Sequence, residues 1–89
     1  MERGYNMSKS HKIKALLSMK GLKNSAFSDA LGLARQQALT TKYARESFTS
    51  DDLIQLAELT NTRLAFIDEN NQPLIMFDKD DIKKEPTPK

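Results

Sequence analysis

The sequence predicts a mainly α fold: four to five short helices followed by a C-terminal β-hairpin. Three observations predict it. From Ser8 to Thr60 the apolar residues recur at spacings of three and four, the period of a helix with one buried face. Gly21, Gly32 and Asn61 fall just past three of those periodic runs, where a helix closes on a left-handed residue. From Thr62 onward the pattern changes to two short runs rich in branched and aromatic residues around a turn-forming hexapeptide. With 89 residues there is room for one domain and a thin core.

Residues 1–7 show no periodicity, hold Gly4 and Asn6, and are expected to be a flexible N-terminus with Met7 as the native start. Ser8 or Ser10 caps a first helix that carries Ile13, Leu16, Leu17 and Lys20 and ends at Gly21. A second helix starts at Lys23 or Asn24, turns Phe27, Ala30 and Leu31 inward, and stops at Gly32. A third begins near Arg35, with Ala38, Leu39 and Tyr43 on its inner side. Thr49-Ser50-Asp51-Asp52 reads as a capping box with Asp in place of the usual Glu or Gln. It opens a fourth helix, Asp51 to Thr60, closed by Asn61, so that residues 8–61 form the helical domain.

Residues 62–78 then predict the hairpin: Thr62 to Ile67 and Leu74 to Phe77 are strands, and Asp68 to Pro73 the turn. Alternation puts Leu64 and Phe66 on one side of the first strand and Ala65 and Ile67 on the other. In the second strand Leu74 and Met76 oppose Ile75 and Phe77. Both faces are therefore apolar. One is expected to pack on the helices and the other, assigned to Ala65, Ile67, Ile75 and Phe77, to meet a two-fold partner. The alternative cover is the chain's own tail, in which Ile82 is the large apolar residue. Residues 79–89 are polar, end on two prolines and are expected to be disordered.

Composition narrows the chemistry. The absence of cysteine removes disulfides, thiolate metal sites and Cys nucleophiles, and one histidine, His11, is too little for an ordinary zinc site. Asp51-Asp52 and Asp80-Asp81 look like paired carboxylates, but neighbours on a helix diverge by about 100°. No glycine-rich phosphate loop follows a strand. The expectation is a protein that is not an enzyme and has no metal, cofactor or evident small-molecule ligand. No apolar run approaches the roughly 20 residues that span a bilayer, and no secretory leader opens the chain, so a cytoplasmic location is expected. Residues 1–45 carry nine Lys and Arg against two acidic side chains, a net +7; residues 46–89 carry five against ten, a net −5; together these give the chain's +2. That polarity points to a polyanionic partner for one half of the chain.

Gly21 through Tyr43 supplies what reading a duplex requires: two short helices around a Gly-containing turn, the second with amides, hydroxyls and cations outward. Gln side chains match adenine's donor–acceptor edge, and Arg and Lys neutralise phosphates. The outer face holds Arg35, Gln36, Gln37, Thr40 and Thr41, with Lys42 and Arg45 at the far end and no acid among them. The stretch Phe27-Ser28-Asp29-Ala30-Leu31-Gly32-Leu33-Ala34-Arg35-Gln36-Gln37-Ala38-Leu39-Thr40 resembles the Cro/repressor (XRE-type) helix-turn-helix family, over roughly residues 10–60. That family's pattern reads L-A-x-x-L-G-[IV]-S-x-Q-[AT]-[LV]-S. This sequence departs from it by one extra residue between Gly32 and Gln37, by Ala34 where a capping serine is usual, and by Ser28 where alanine is usual. The extra residue leaves open which glutamine faces the groove.

The resemblance implies a homodimeric transcriptional regulator, a repressor of the small prophage or mobile-element kind, reading a palindromic operator in double-stranded DNA. It implies Gln36 and Gln37, then Thr40 and Thr41, as base readers; the cations Lys23, Arg35, Lys42 and Arg45 are expected on phosphates by their charge. The alternative is a protein-interaction module on the same fold, such as an antitoxin, an anti-defence factor or an adaptor.

Overall fold

The computed structural model describes residues 8–82. The flexible N-terminus expected for residues 1–7, the Met7 start and the last seven residues of the expected tail lie outside them. The architecture is mainly α: four helices, α1 (Lys9–Met19), α2 (Asn24–Ala30), α3 (Gln36–Arg45) and α4 (Ser50–Thr60), then an antiparallel hairpin of β1 (Leu64–Ile67) and β2 (Pro73–Phe77), and a 3-10 helix, Lys79–Asp81. No helix among the described residues is long and apolar enough to cross a membrane. The chain divides after Phe48 into two compact units. α4 falls in the same unit as the hairpin, and β1 and the 3-10 helix both lie against it.

One device closes all four α-helices. After α1 the Leu22 N–H donates to Leu17 O and the Gly21 N–H to Ser18 O; after α2 Leu33 donates to Ser28 O and Gly32 to Asp29 O. Ser47 and Glu46 repeat the pair after α3, and Thr62 and Asn61 after α4. The pair satisfies carbonyls that a helix end leaves unbonded, and it needs one left-handed residue each time. Gly21 (φ 68°), Gly32 (φ 71°) and Asn61 (φ 59°) were legible as such residues; Glu46 (φ 53°) was not.

The first unit, α1 to α3 and the segment to Phe48, buries Ile13, Leu17, Phe27, Leu39 and Tyr43. Phe48 stacks on Phe27 (centroids 6.1 Å apart) and meets Tyr43 edge-on at 5.5 Å. The buried Ser10 hydroxyl donates to Tyr43 O at 2.6 Å and so ties the start of α1 to the last turn of α3. At the head of α1 the Ser8 hydroxyl accepts the His11 N–H at 3.1 Å, a side-chain N-cap.

In the second unit the predicted capping box is complete. Thr49 Oγ1 accepts the Asp52 N–H at 3.1 Å, and Asp52 Oδ2 accepts the Thr49 N–H at 3.1 Å. Ile54, Leu56, Ala57 and Thr60 are buried. The hairpin turn is built on Asp68, whose Oδ1 accepts the Asn70 N–H (2.8 Å) and the Gln72 N–H (3.0 Å), with Asn71 left-handed at φ 65°. The first residues of the expected tail form the 3-10 helix: Asp78 caps it through the Asp80 N–H at 2.9 Å, and Asp81 bonds back to the Asp78 N–H at 2.9 Å. An Asp three residues after an Asp suffices for that turn, however polar the neighbouring residues are.

Candidate nucleic-acid interface

α3 owes its orientation to Leu39 and Tyr43, which are 1% and 8% exposed, one helical turn apart, and anchor its inner side. The opposite side then carries Gln36, Gln37, Thr40, Thr41 and Ala44, all exposed. Among the described residues neither Gln36 nor Gln37 has a side-chain hydrogen bond, so both amides keep their donors and acceptors for a ligand. The two threonines differ: Thr41 Oγ1 donates to Gln37 O at 3.0 Å and Thr40 Oγ1 to Gln36 O at 3.4 Å. With its proton turned to the helix backbone, each hydroxyl offers an incoming group only lone pairs.

The turn between α2 and α3 runs from Leu31 to Arg35, and Gly32 supplies its left-handed residue. Arg35 stands at the N-cap of α3 in an extended conformation (φ −135°, ψ 143°) and makes no side-chain cap bond. The extra residue thus falls ahead of the helix, and both glutamines lie in its first turn. Gln36 and Thr40 border a depression on the α1 side, whereas Gln37 and Thr41 border a shallower one with Ala34 and Arg35.

The four cations assigned to phosphates are spread over the first unit. Lys23 is exposed at the N-cap of α2, Arg35 at that of α3, and Arg45 in the last turn of α3. Lys42 is only half exposed: its Nζ donates to Ser47 O at 3.4 Å and lies 5.9 Å from the Phe48 ring centroid. Its ammonium therefore has work inside its own unit, which the sequence reading missed.

The depression beside α3 is about 670 Å³ and open. His11 and Lys14 from α1, Asn24 from α2, and Tyr43 and Arg45 from α3 are on its walls. Tyr43, its pKa raised by burial, keeps its proton and donates to Asn24 Oδ1 at 3.0 Å. Lys14 Nζ sits 4.6 Å from the Tyr43 ring centroid. Glu46, on the rim, takes the Ser10 N–H at 3.3 Å. Hydrogen bonding from the Ser8 side chain and then from the Ser10 N–H holds its carboxyl below the usual 4.5, with Lys9 adding to the effect and desolvation opposing it. The Ser8 hydroxyl also lies 3.0 Å from His11 Nδ1; having one proton, it serves the carboxylate as donor only when the imidazole donates to it. None of the α1 and α2 residues here was expected at the interface.

The hairpin's register corrects the expected partner face. Leu64 pairs with Phe77, Ala65 with Met76 and Phe66 with Ile75, with an irregularity between Phe66 and Ile67. Directly paired residues share a face. Ile75 and Phe77 therefore stand with Phe66 and Leu64, and Ala65 stands opposite with Met76; Ala65, Ile67, Ile75 and Phe77 do not form one surface. Phe66 meets Phe77 edge-on at 6.0 Å. Exposure also changes along the ribbon, and across it at the Ala65–Met76 pair. Leu64, Ala65 and Phe77, at the base, are half-buried, while Phe66 (66%), Ile67 (55%), Leu74 (64%), Ile75 (58%) and Met76 (58%) are bare. The expected packing of one whole face on helices is not what forms, because Phe66 and Ile75 on one side and Ile67 and Met76 on the other are all bare.

No protein-family model, curated protein or solved structure matches the chain. Its architecture, four helices and a hairpin, is compatible with a regulatory or protein-interaction domain in general.

Proposed function

We propose that the chain is a sequence-specific double-stranded-DNA-binding regulator of the Cro/repressor type, a cytoplasmic repressor that works as a homodimer and performs no chemistry. The observation that carries this reading is the outward stripe of α3: two unpartnered glutamine amides and two threonines, with no acidic side chain on the helix. A helix some ten residues long with small polar side chains fits the major groove, and glutamine amides match adenine's N6 and N7. Arg35, Lys23 and Arg45 supply positioning contacts, and occupancy of the operator blocks polymerase. A two-fold pair would place its recognition helices about 34 Å apart, one turn of DNA. The test is selection of bound duplexes from random DNA, then affinity against salt. A palindromic consensus and a steep salt dependence are expected; no enrichment and a flat salt response would overturn the reading.

The bare apolar end of the hairpin favours a second reading, a protein-interaction module in which the ribbon is the contact surface. On that reading duplex selection fails, and removing the hairpin's apolar side chains abolishes capture of a protein partner.

A further inference from the structure

We infer that the depression between α1 and α3 is a phosphate seat, in which Lys14, Asn24 and Arg45 hold a phosphate group beside the Gln36–Thr40 edge of α3; as a contact with the DNA backbone it rests on the function proposed above.

Donors dominate the walls. Lys14 and Arg45 bring N–H donors and no acceptor, and Arg presents the forked geometry that suits phosphate oxygens. Asn24 has its carbonyl oxygen engaged by the Tyr43 hydroxyl. That fixes the amide's direction and leaves its two N–H donors without a protein partner among the described residues. The Tyr43 hydroxyl is itself committed as a donor, so it presents no competing anion. The carboxylate on the rim, Glu46, is turned to the N-terminal end of α1 through the Ser10 N–H.

The shape selects how the phosphate arrives. A site for a free small molecule encloses most of its ligand. This one is open and polar, so it suits a group carried in by a larger molecule whose remainder lies outside. Gln36 and Thr40 line the same depression, which puts a seated phosphate next to the residues that would face bases. A strand whose phosphate is gripped from α1 is thereby held in register against α3.

The test compares Lys14→Gln with Lys12→Gln, an exposed lysine of the same helix that does not line the depression. Affinity for selected and unrelated duplexes is measured against salt, with thermal melts to verify folding. Lys14→Gln is expected to lower the slope of log affinity against log salt by about 0.9, equally for all duplexes, and Lys14→Arg to restore it. Lys12→Gln is expected to leave the slope unchanged. Equal effects of K14Q and K12Q on a protein that binds duplex would overturn the seat and leave the DNA reading intact. If no duplex binds at all, the DNA reading fails by itself and titration with inorganic phosphate decides the seat. Amide shifts at His11 and Asn24 that K14Q abolishes would support it as a seat for a phosphate carried by a larger molecule other than duplex DNA; no shifts would overturn it.

Discussion

Gln36 and Gln37 leave the first turn of α3 toward different depressions, so they should read different positions. Gln36→Ala and Gln37→Ala are each expected to lose about 1–3 kcal/mol of discrimination at one base pair, not the same one, with the salt slope unchanged. Competition binding with single-base variants of a selected duplex measures both. The stripe was legible because a 3.6-residue period with Leu39 and Tyr43 inward leaves few positions for the outer face. The α1 side of the site was not: Lys14 and His11 come beside α3 through the Ser10–Tyr43 hydrogen bond, 33 residues apart in sequence. Glu46 carries a separate expectation. Its folded-state pKa is depressed, so its ionised form stabilises the fold at pH values above the ordinary 4.5, and that contribution is lost as pH falls through the folded value. The urea midpoint of Glu46→Gln should lie below that of the parent at neutral pH, and the gap should close in acid, where both side chains are uncharged.

At the scale of elements, four helices end on the same hydrogen-bond pair, yet only three of their left-handed residues announced themselves. Gly and Asn tolerate positive φ; a glutamate there is costly and is retained by its bond to Ser10. The start of α3, read as near Arg35, is less sharply marked in the sequence for a related reason. No serine or threonine stands at its head, and Arg35 takes the N-cap position without capping it. Arg35→Ser should therefore stabilise the fold by about 0.5–1 kcal/mol through the missing cap, while weakening duplex binding through the lost cation. Urea denaturation and binding titrations on the same variant should move in opposite senses. The capping box of α4 is sharply marked, because Thr49 and Asp52 carry both halves of it in four consecutive residues.

For the molecule as a whole, the homodimer proposed above would use one of the hairpin's faces. Alternation in sequence identified two apolar faces, but it contains no term for position along a strand, and so it missed that the base is half-buried and the far end bare on both sides. Ile75→Lys and Met76→Lys alter opposite faces at neighbouring residues. If association uses the Phe66–Phe77 face, sedimentation equilibrium should show I75K shifted to monomer and M76K still dimeric; the reverse pattern assigns the other face. Either way one pairing dries half the ribbon's tip. A tongue wet on its upper and lower surfaces is fully sheathed only when it slides between two walls, or when its mate offers a matching tongue that interleaves with it. Assembly built on this element is thus not capped at two by geometry.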